Sequence, residues 1–263
     1  MDYWSGKVAI VTGASKGVGL AISKELVDYG INVIGLARNM DNLVDAAEII
    51  GDHKFCPIQC DITEEGQILS TFELIEEKFG GVDILVNNAS LFSLAWIMDS
   101  ETDEIHDVIK TNLIGPAILA REAMNSMRRR DARGHIINIS GITGLYHEAF
   151  CIPLGMYGPS KCGLKALGLE LRQEVCMAKL EIKVTTINPG FVRTDMLKQL
   201  YNFMNVRPEV LLKDGDIADA VIYALGTPKS VEVCTDKITL FHFIRQILSV
   251  QRNMENRDVS FKK

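Results

Sequence analysis

Short apolar runs rich in β-branched residues alternate with longer stretches whose apolar residues recur every three or four positions. The first run, Val8 to Thr12, has no polar interruption, as a strand buried on both faces requires. It breaks at a glycine-rich turn from Gly13 to Gly19. A helix follows, with apolar residues at Leu20, Ile22, Leu26 and Val27, and stops at Gly30. The same reading predicts strands over 31–37, 54–59, 83–87, 135–140 and 182–187, and a last short one at 238–240. Helices are predicted over 42–50, 64–79, 103–127, 157–178 and 216–225. The 103–127 helix contains Asn112 and Gly115-Pro116, which predicts a kink or break near Asn112.

Strand and helix alternating this many times predict an α/β fold: a single Rossmann-type, doubly wound parallel sheet with helices on both faces. Right-handed crossovers bring the carboxyl ends of the strands to one edge, where ligands bind. The polar motifs follow strands: Gly13 to Gly19, Arg38, Asp61, Asn87-Asn88, Ser140 and Asn188-Pro189-Gly190. They therefore converge on one crevice.

Composition narrows the class. The 263 residues, 47% hydrophobic and 24% charged, suit one domain with a well-buried core. Residues 1–240 are expected to form it, with 241–263 an amphipathic segment and a polar tail. A net charge of −6 and a pI near 5.5 argue against a nucleic-acid partner. Arg128-Arg129-Arg130 falls where a helix should end, and cations there complement the helix dipole. Six cysteines without Cys-x-x-Cys spacing argue against a metal site or a disulfide framework. No apolar run reaches membrane-spanning length, and the N-terminus runs straight into a strand, so a cytoplasmic protein without a transmembrane segment is expected.

The turn Gly13-x-x-x-Gly17-x-Gly19 lies between a strand and a helix. Its glycines allow the backbone to approach a pyrophosphate, whose charge the helix N-terminus favours. After the second strand stands Arg38, where an acidic residue would repel a 2′-phosphate, and Lys16 lies in the glycine turn. Two cations near the adenosine ribose favour NADP(H). Tyr157 and Lys161, four apart on a helix, share one face. A neighbouring cation favours phenolate, so Tyr157 is expected to titrate below its free value of about 10 and act as a general acid/base.

Thr12-Gly13-Ala-Ser-Lys-Gly17-Val-Gly19, Asn87-Asn88-Ala89, Asn112, Tyr157-x-x-x-Lys161 and Asn188-Pro189-Gly190 together resemble the short-chain dehydrogenase/reductases. Within that family the chain looks most like the insect farnesol-dehydrogenase-like enzymes and their steroid- and carbonyl-reducing relatives. The resemblance implies a cofactor-binding set of Gly13, Ser15, Lys16, Gly17, Val18, Gly19, Arg38, Asp61, Asn88, Ala89, Tyr157, Lys161, Pro189, Gly190, Val192 and Thr194. In it Asp61 receives the adenine amino group and Thr194 meets the nicotinamide carboxamide. The implied catalytic group is Tyr157, Lys161, Asn112 and a serine, with Asn112 holding a water that links Lys161 to solvent. The helices beginning at Asp103 and Tyr157 resemble those that build homodimers and homotetramers in this family.

Two departures stand out. Ser90 replaces the usual glycine of Asn-Asn-Ala-Gly, which raises the question of strain. More sharply, aligning Asn138 and Gly144 with Asn-x-Ser-Ser-x-x-Gly puts Gly141 at the catalytic serine position, and a regular strand would turn Ser140 to the other face. Three readings stay open. Ser140, the leading candidate, turns back at a bulge; Thr143 supplies the hydroxyl; or no side chain does.

Apolar residues above this edge, among them Leu91, Phe92, Leu94, Trp96, Leu145, Tyr146, Phe150, Met156, Met196, Leu197, Leu200, Tyr201, Phe203 and Met204, suit a small lipophilic alcohol or carbonyl substrate such as a terpenoid or steroid. The expected function is NADP(H)-dependent interconversion of that alcohol and its carbonyl. The alternative, which Gly141 favours, is a dinucleotide-binding sensor or scaffold with weakened catalysis.

Overall fold

The structure, a computed structural model, describes residues 1–51, 53–146, 152–198, 200–201 and 211–238. Among them, seven parallel strands form one sheet in the order β3-β2-β1-β4-β5-β6-β7. The strands are β1 (Val8–Thr12), β2 (Asn32–Ala37), β3 (Phe55–Gln59), β4 (Ile84–Asn87), β5 (Gly134–Ile139), β6 (Ile182–Pro189) and β7 (Thr235–Ile238). The helices that connect them are α1 (Gly17–Asp28), α2 (Met40–Ile50), α3 (Glu65–Phe79), α4 (Thr102–Ile109), α5 (Gly115–Arg129), α6 (Tyr157–Met177) and α7 (Asp214–Gly226).

The two-residue period of each strand separates two cores. Ala9 and Val11 of β1, Ile84 and Val86 of β4, and Ile137 and Ile139 of β5 pack with Ile22 and Leu26 of α1, Leu43 of α2 and Ile217 of α7. The alternate residues Ile10, Leu85 and Ile136 pack with Phe72 of α3, Leu119 of α5 and Leu171 of α6. This alternation fixes which way each residue at the end of a strand points.

The expected doubly wound sheet is present, with two local differences. The helix predicted over 103–127 is interrupted, as its Asn and Gly-Pro implied, by a π turn at Lys110–Ile114 that buries Asn112 completely. The last described strand, Thr235–Ile238, begins three residues before the expected 238–240, of which only Ile238 belongs to the described residues. It is positioned by backbone pairing with Thr186–Pro189, which a polar Thr-Asp-Lys sequence conceals from a hydropathy reading. The expected segment 241–263 also lies outside the described residues. Among the described residues no helix is long and apolar enough to cross a membrane.

Candidate active site

The strand order reverses between β1 and β4, and the polar motifs gather at that crevice. Thr12 holds its two sides together. Its hydroxyl accepts the N–H groups of Asn88 and Ala89, each at 2.9 Å, while the Asn88 side-chain amide donates to the Thr12 carbonyl at 2.8 Å. The turn is also tied to β2, because the Gly13 N–H donates to the Leu36 carbonyl at 2.7 Å. A side chain on Gly19 would collide with the Gly13 carbonyl, and one on Gly13 would meet the Ala89 Cα at 3.0 Å. The turn therefore offers bare backbone at the start of α1, where the helix dipole attracts anions.

Around it, Ser15 and Val18 are half-buried, and Lys16 and Arg38 are exposed. Asp61 is held by its own turn, its Oδ1 accepting the Thr63 N–H at 2.9 Å and the Thr63 hydroxyl at 2.8 Å. Thr194 reaches the turn from the far side: a Cβ on Gly17 would lie 3.5 Å from its methyl group. Pro189, Gly190 and Val192 are buried at the end of β6, with Val192 bridged to Leu212. The Asn88 side-chain amide also secures the turn. Among the described residues no group of three His, Cys, Asp or Glu side chains is placed to hold a metal.

On the other side of the crevice Tyr157 opens α6 and Lys161 follows one turn later. Lys161 is 2% exposed, and its ammonium donates to the Ile139 carbonyl at 3.1 Å. Burial pulls its pKa down to about 7. Tyr157 is half-buried where it lines a cleft, and desolvation pushes its pKa up to about 12. In the protein alone this reverses the expectation that Lys161 lowers the phenol. Lys161 Nζ lies 5.6 Å from the Tyr157 ring centre and is only partly charged near neutral pH, so desolvation outweighs attraction.

Asn112 braces this half. Its Oδ1 accepts the Leu91 N–H at 2.7 Å, and its amide donates to the Leu91 carbonyl at 2.9 Å and to the Ser160 hydroxyl at 3.0 Å. The side chain is thus committed to tying the segment after β4 to α6. Ser90 joins the same cluster through its hydroxyl, 3.2 Å from Asn112 Oδ1. Ser90 has no positive φ, so its replacement of glycine carries no left-handed strain.

Ser140 does not turn back toward Tyr157. It keeps the alternation of β5 and donates its hydroxyl to the Lys161 carbonyl at 3.0 Å, on the face where Ile136 packs. Gly141, beside it, faces the cleft. A Cβ there would lie 3.7 Å from the Tyr157 hydroxyl and 3.5 Å from Thr143 Oγ1. The arrangement brings Tyr157, Gly141 and Thr143 together and leaves Ser140 behind them.

The cleft is lined by Phe92, Gly141, Ile142, Thr143, Leu154, Tyr157, Pro189, Gly190, Phe191, Leu197 and Leu200. Phe92 packs edge-on against Tyr157, with ring centres 5.0 Å apart. Of the lining expected from the sequence, Phe92, Leu197 and Leu200 are in place, while Trp96, Tyr146 and Met196 are substantially exposed. Phe150, Phe203 and Met204 lie outside the described residues. Ile142, Leu154 and Phe191 escaped the sequence reading, although Leu154 precedes Tyr157 by three positions and Phe191 directly follows Pro189-Gly190. Thr12 reads as the head of the glycine motif, but its bonds to Asn88 and Ala89 are not legible from its place in the strand.

Comparison with known proteins agrees with this geometry. Residues 7–205 match the family model of the short chain dehydrogenases. The chain is 37% identical over 242 residues to the farnesol dehydrogenase of Aedes aegypti, covering 89% of this chain and 95% of that protein. It is 34% identical over 247 residues to the human dehydrogenase/reductase SDR family member 11, covering 89% and 94%. A short-chain type dehydrogenase/reductase from Mycobacterium marinum superimposes with a TM-score of 0.83 at 26% identity, covering 91% and 96%. A metagenomic short-chain oxidoreductase, solved in complex with NADP, superimposes with a TM-score of 0.75 at 27% identity, covering 90% and 99%. The protein belongs to the short-chain dehydrogenase/reductase family of oxidoreductases.

Proposed function

We propose that the protein interconverts a lipophilic alcohol and its carbonyl compound with NADP(H), using Tyr157 as general acid/base. The observation that carries this reading is Tyr157 lining a mostly apolar cleft, over a buried Lys161, at the sheet edge that bears the glycine turn. The bare backbone at Gly13 and Gly19 fits a pyrophosphate, and the exposed Arg38 and Lys16 fit a ribose 2′-phosphate. The relative solved with NADP supports that preference. When bound, the nicotinamide supplies or accepts a hydride at the carbinol carbon.

The remaining chemistry falls to the chain. In reduction, the Tyr157 phenol, kept protonated by desolvation, gives its proton to the carbonyl oxygen; in oxidation, its phenolate takes the proton of the alcohol. Lys161, anchored on the Ile139 carbonyl, lies beneath the ring; in this reading it would hold the nicotinamide ribose. Asn112 acts by holding the segment after β4 against α6. Phe92, Ile142, Leu154 and Phe191 exclude water and favour apolar substrates of the terpenoid or steroid kind. Farnesol-like substrates are further supported by the mosquito farnesol dehydrogenase.

Turnover with NADPH and NADH against C15 terpenoid aldehydes, steroid ketones and quinones tests the reading. NADPH-dependent reduction of at least one apolar carbonyl compound is expected. Tight NADPH binding with no turnover on the panel would favour a sensor or scaffold instead.

A further inference from the structure

We infer that the Thr143 hydroxyl is the hydrogen-bond donor that holds the substrate oxygen beside Tyr157. The inference rests on the acid/base reading of Tyr157. Among the described residues that line the cleft, Tyr157 and Thr143 alone carry a polar side-chain atom. Thr143 is 5% exposed, and its Oγ1 makes no hydrogen bond to the protein. Buried hydroxyls find partners as a rule, so one left open beside a phenol points to a ligand atom. Ser140 is unsuited to the task, since its hydroxyl is spent on the Lys161 carbonyl.

The geometry says where the ligand atom belongs. A single point, the Cβ that Gly141 lacks, lies 3.5 Å from Thr143 Oγ1 and 3.7 Å from the Tyr157 hydroxyl. Glycine thus leaves a gap that both hydroxyls border, and Thr143 reaches it from the short 3-10 turn Ile142–Gly144. When hydride reaches the carbonyl carbon, negative charge grows on the oxygen, and a fixed donor there favours the transition state over the ground state. Thr143 keeps its own proton throughout. The proton that moves comes from Tyr157, and no bond at Thr143 forms or breaks covalently.

Thr143→Val removes the hydroxyl at nearly constant shape. It is expected to lower kcat by about 10²–10³, the usual loss for one such donor, with NADPH affinity unchanged. Thr143→Ser should retain most of the rate. Adding Gly141→Ser to Thr143→Val should restore much of it, because that Cβ meets only ordinary contacts and its hydroxyl would enter the same gap. Full kcat in Thr143→Val, or equal losses in the Val and Ser variants, overturns the inference. A second measurement separates this from the Tyr157 reading: the infrared carbonyl stretch of 2-undecanone bound to NADP+-loaded protein, where no hydride is available. A lowered stretch in the wild type and Thr143→Ser, lost in Thr143→Val, supports the donor even if turnover fails. The same stretch in all three proteins overturns it.

Discussion

Strand β5 meets a buried base at each end, and the two ends put similar physics to different uses. At its amino end His135 is fully buried, and desolvation together with the nearby Lys183 and Arg133 pushes its pKa down to about 3. At its carboxyl end Lys161 is bound to the Ile139 carbonyl, and desolvation pulls its pKa down to about 7. Around His135 several neighbouring charges are engaged, although His135 Nδ1 and Arg133 Nε have no hydrogen-bond partner. Lys183 donates to the Thr227 hydroxyl at 3.1 Å and the Pro228 carbonyl at 2.6 Å, and Asp83 accepts Arg130 at 2.9 Å and the Val8 N–H at 3.0 Å. His135 itself meets the Thr185 hydroxyl at 2.9 Å. Around Lys161 the phenol of Tyr157 faces a cleft and Thr143 Oγ1 is unpaired. What separates the two ends is the neighbour of the base: Lys161 lies under a phenol that lines a mostly apolar cleft, whereas the hollow lined by Arg133 and Lys183 beside His135 is bordered mainly by charged side chains.

If the carboxyl end does chemistry, the largest effect should come from Tyr157→Phe. We expect kcat to fall by about 10²–10⁴ while NADPH still binds, as fluorescence titration would show. Undiminished turnover would remove the chemical half of the contrast.

Arg38→Asp should come next. Losing a charge-assisted contact and gaining a repulsion should raise the Kd for NADPH by about tenfold to a hundredfold, at a few kcal/mol or less. NADH binding should change far less; equal losses for both would mean that Arg38 meets no 2′-phosphate.

Stability against pH gives the finest comparison. Both bases have pKa values below their ordinary ones, so in each window the unfolded chain holds the extra proton and stability falls as pH falls. For His135 the loss runs from about 6.5 down to about 3, and for Lys161 from about 10.5 down to about 7. Denaturant midpoints followed over pH should flatten by up to about one proton in the first window for His135→Gln and in the second for Lys161→Met. Added NADPH should move only the second, because an anionic ligand at the carboxyl edge acts on Lys161. A shift of both windows, or of neither, would show that the two ends are not electrostatically distinct.

Much of this was legible in the chain. Buried parallel strands need unbroken apolar runs, and helices covering them need a 3.6-residue stripe, so element order and the edge where polar motifs gather follow from spacing alone. Tyr157 and Lys161 belong to one face of α6 for the same reason. Their pKa values did not follow, because a cation's influence depends on its own desolvation, and burial of Lys161 reduces the charge expected to act on the phenol.

The amino-acid order determined the fold class, the crevice and the Tyr157–Lys161 pair, all of which rest on local periodicity and on one handedness of crossover. The tertiary structure decided which hydroxyl faces the cleft. Ser140 and Thr143 both follow β5 within a few residues, and strand alternation sends Ser140 to the α6 backbone, while the 3-10 turn beyond Gly141 returns Thr143 to the cleft. Spacing along the chain states that two hydroxyls are near; only packing in three dimensions decides which one keeps its hydrogen bond free.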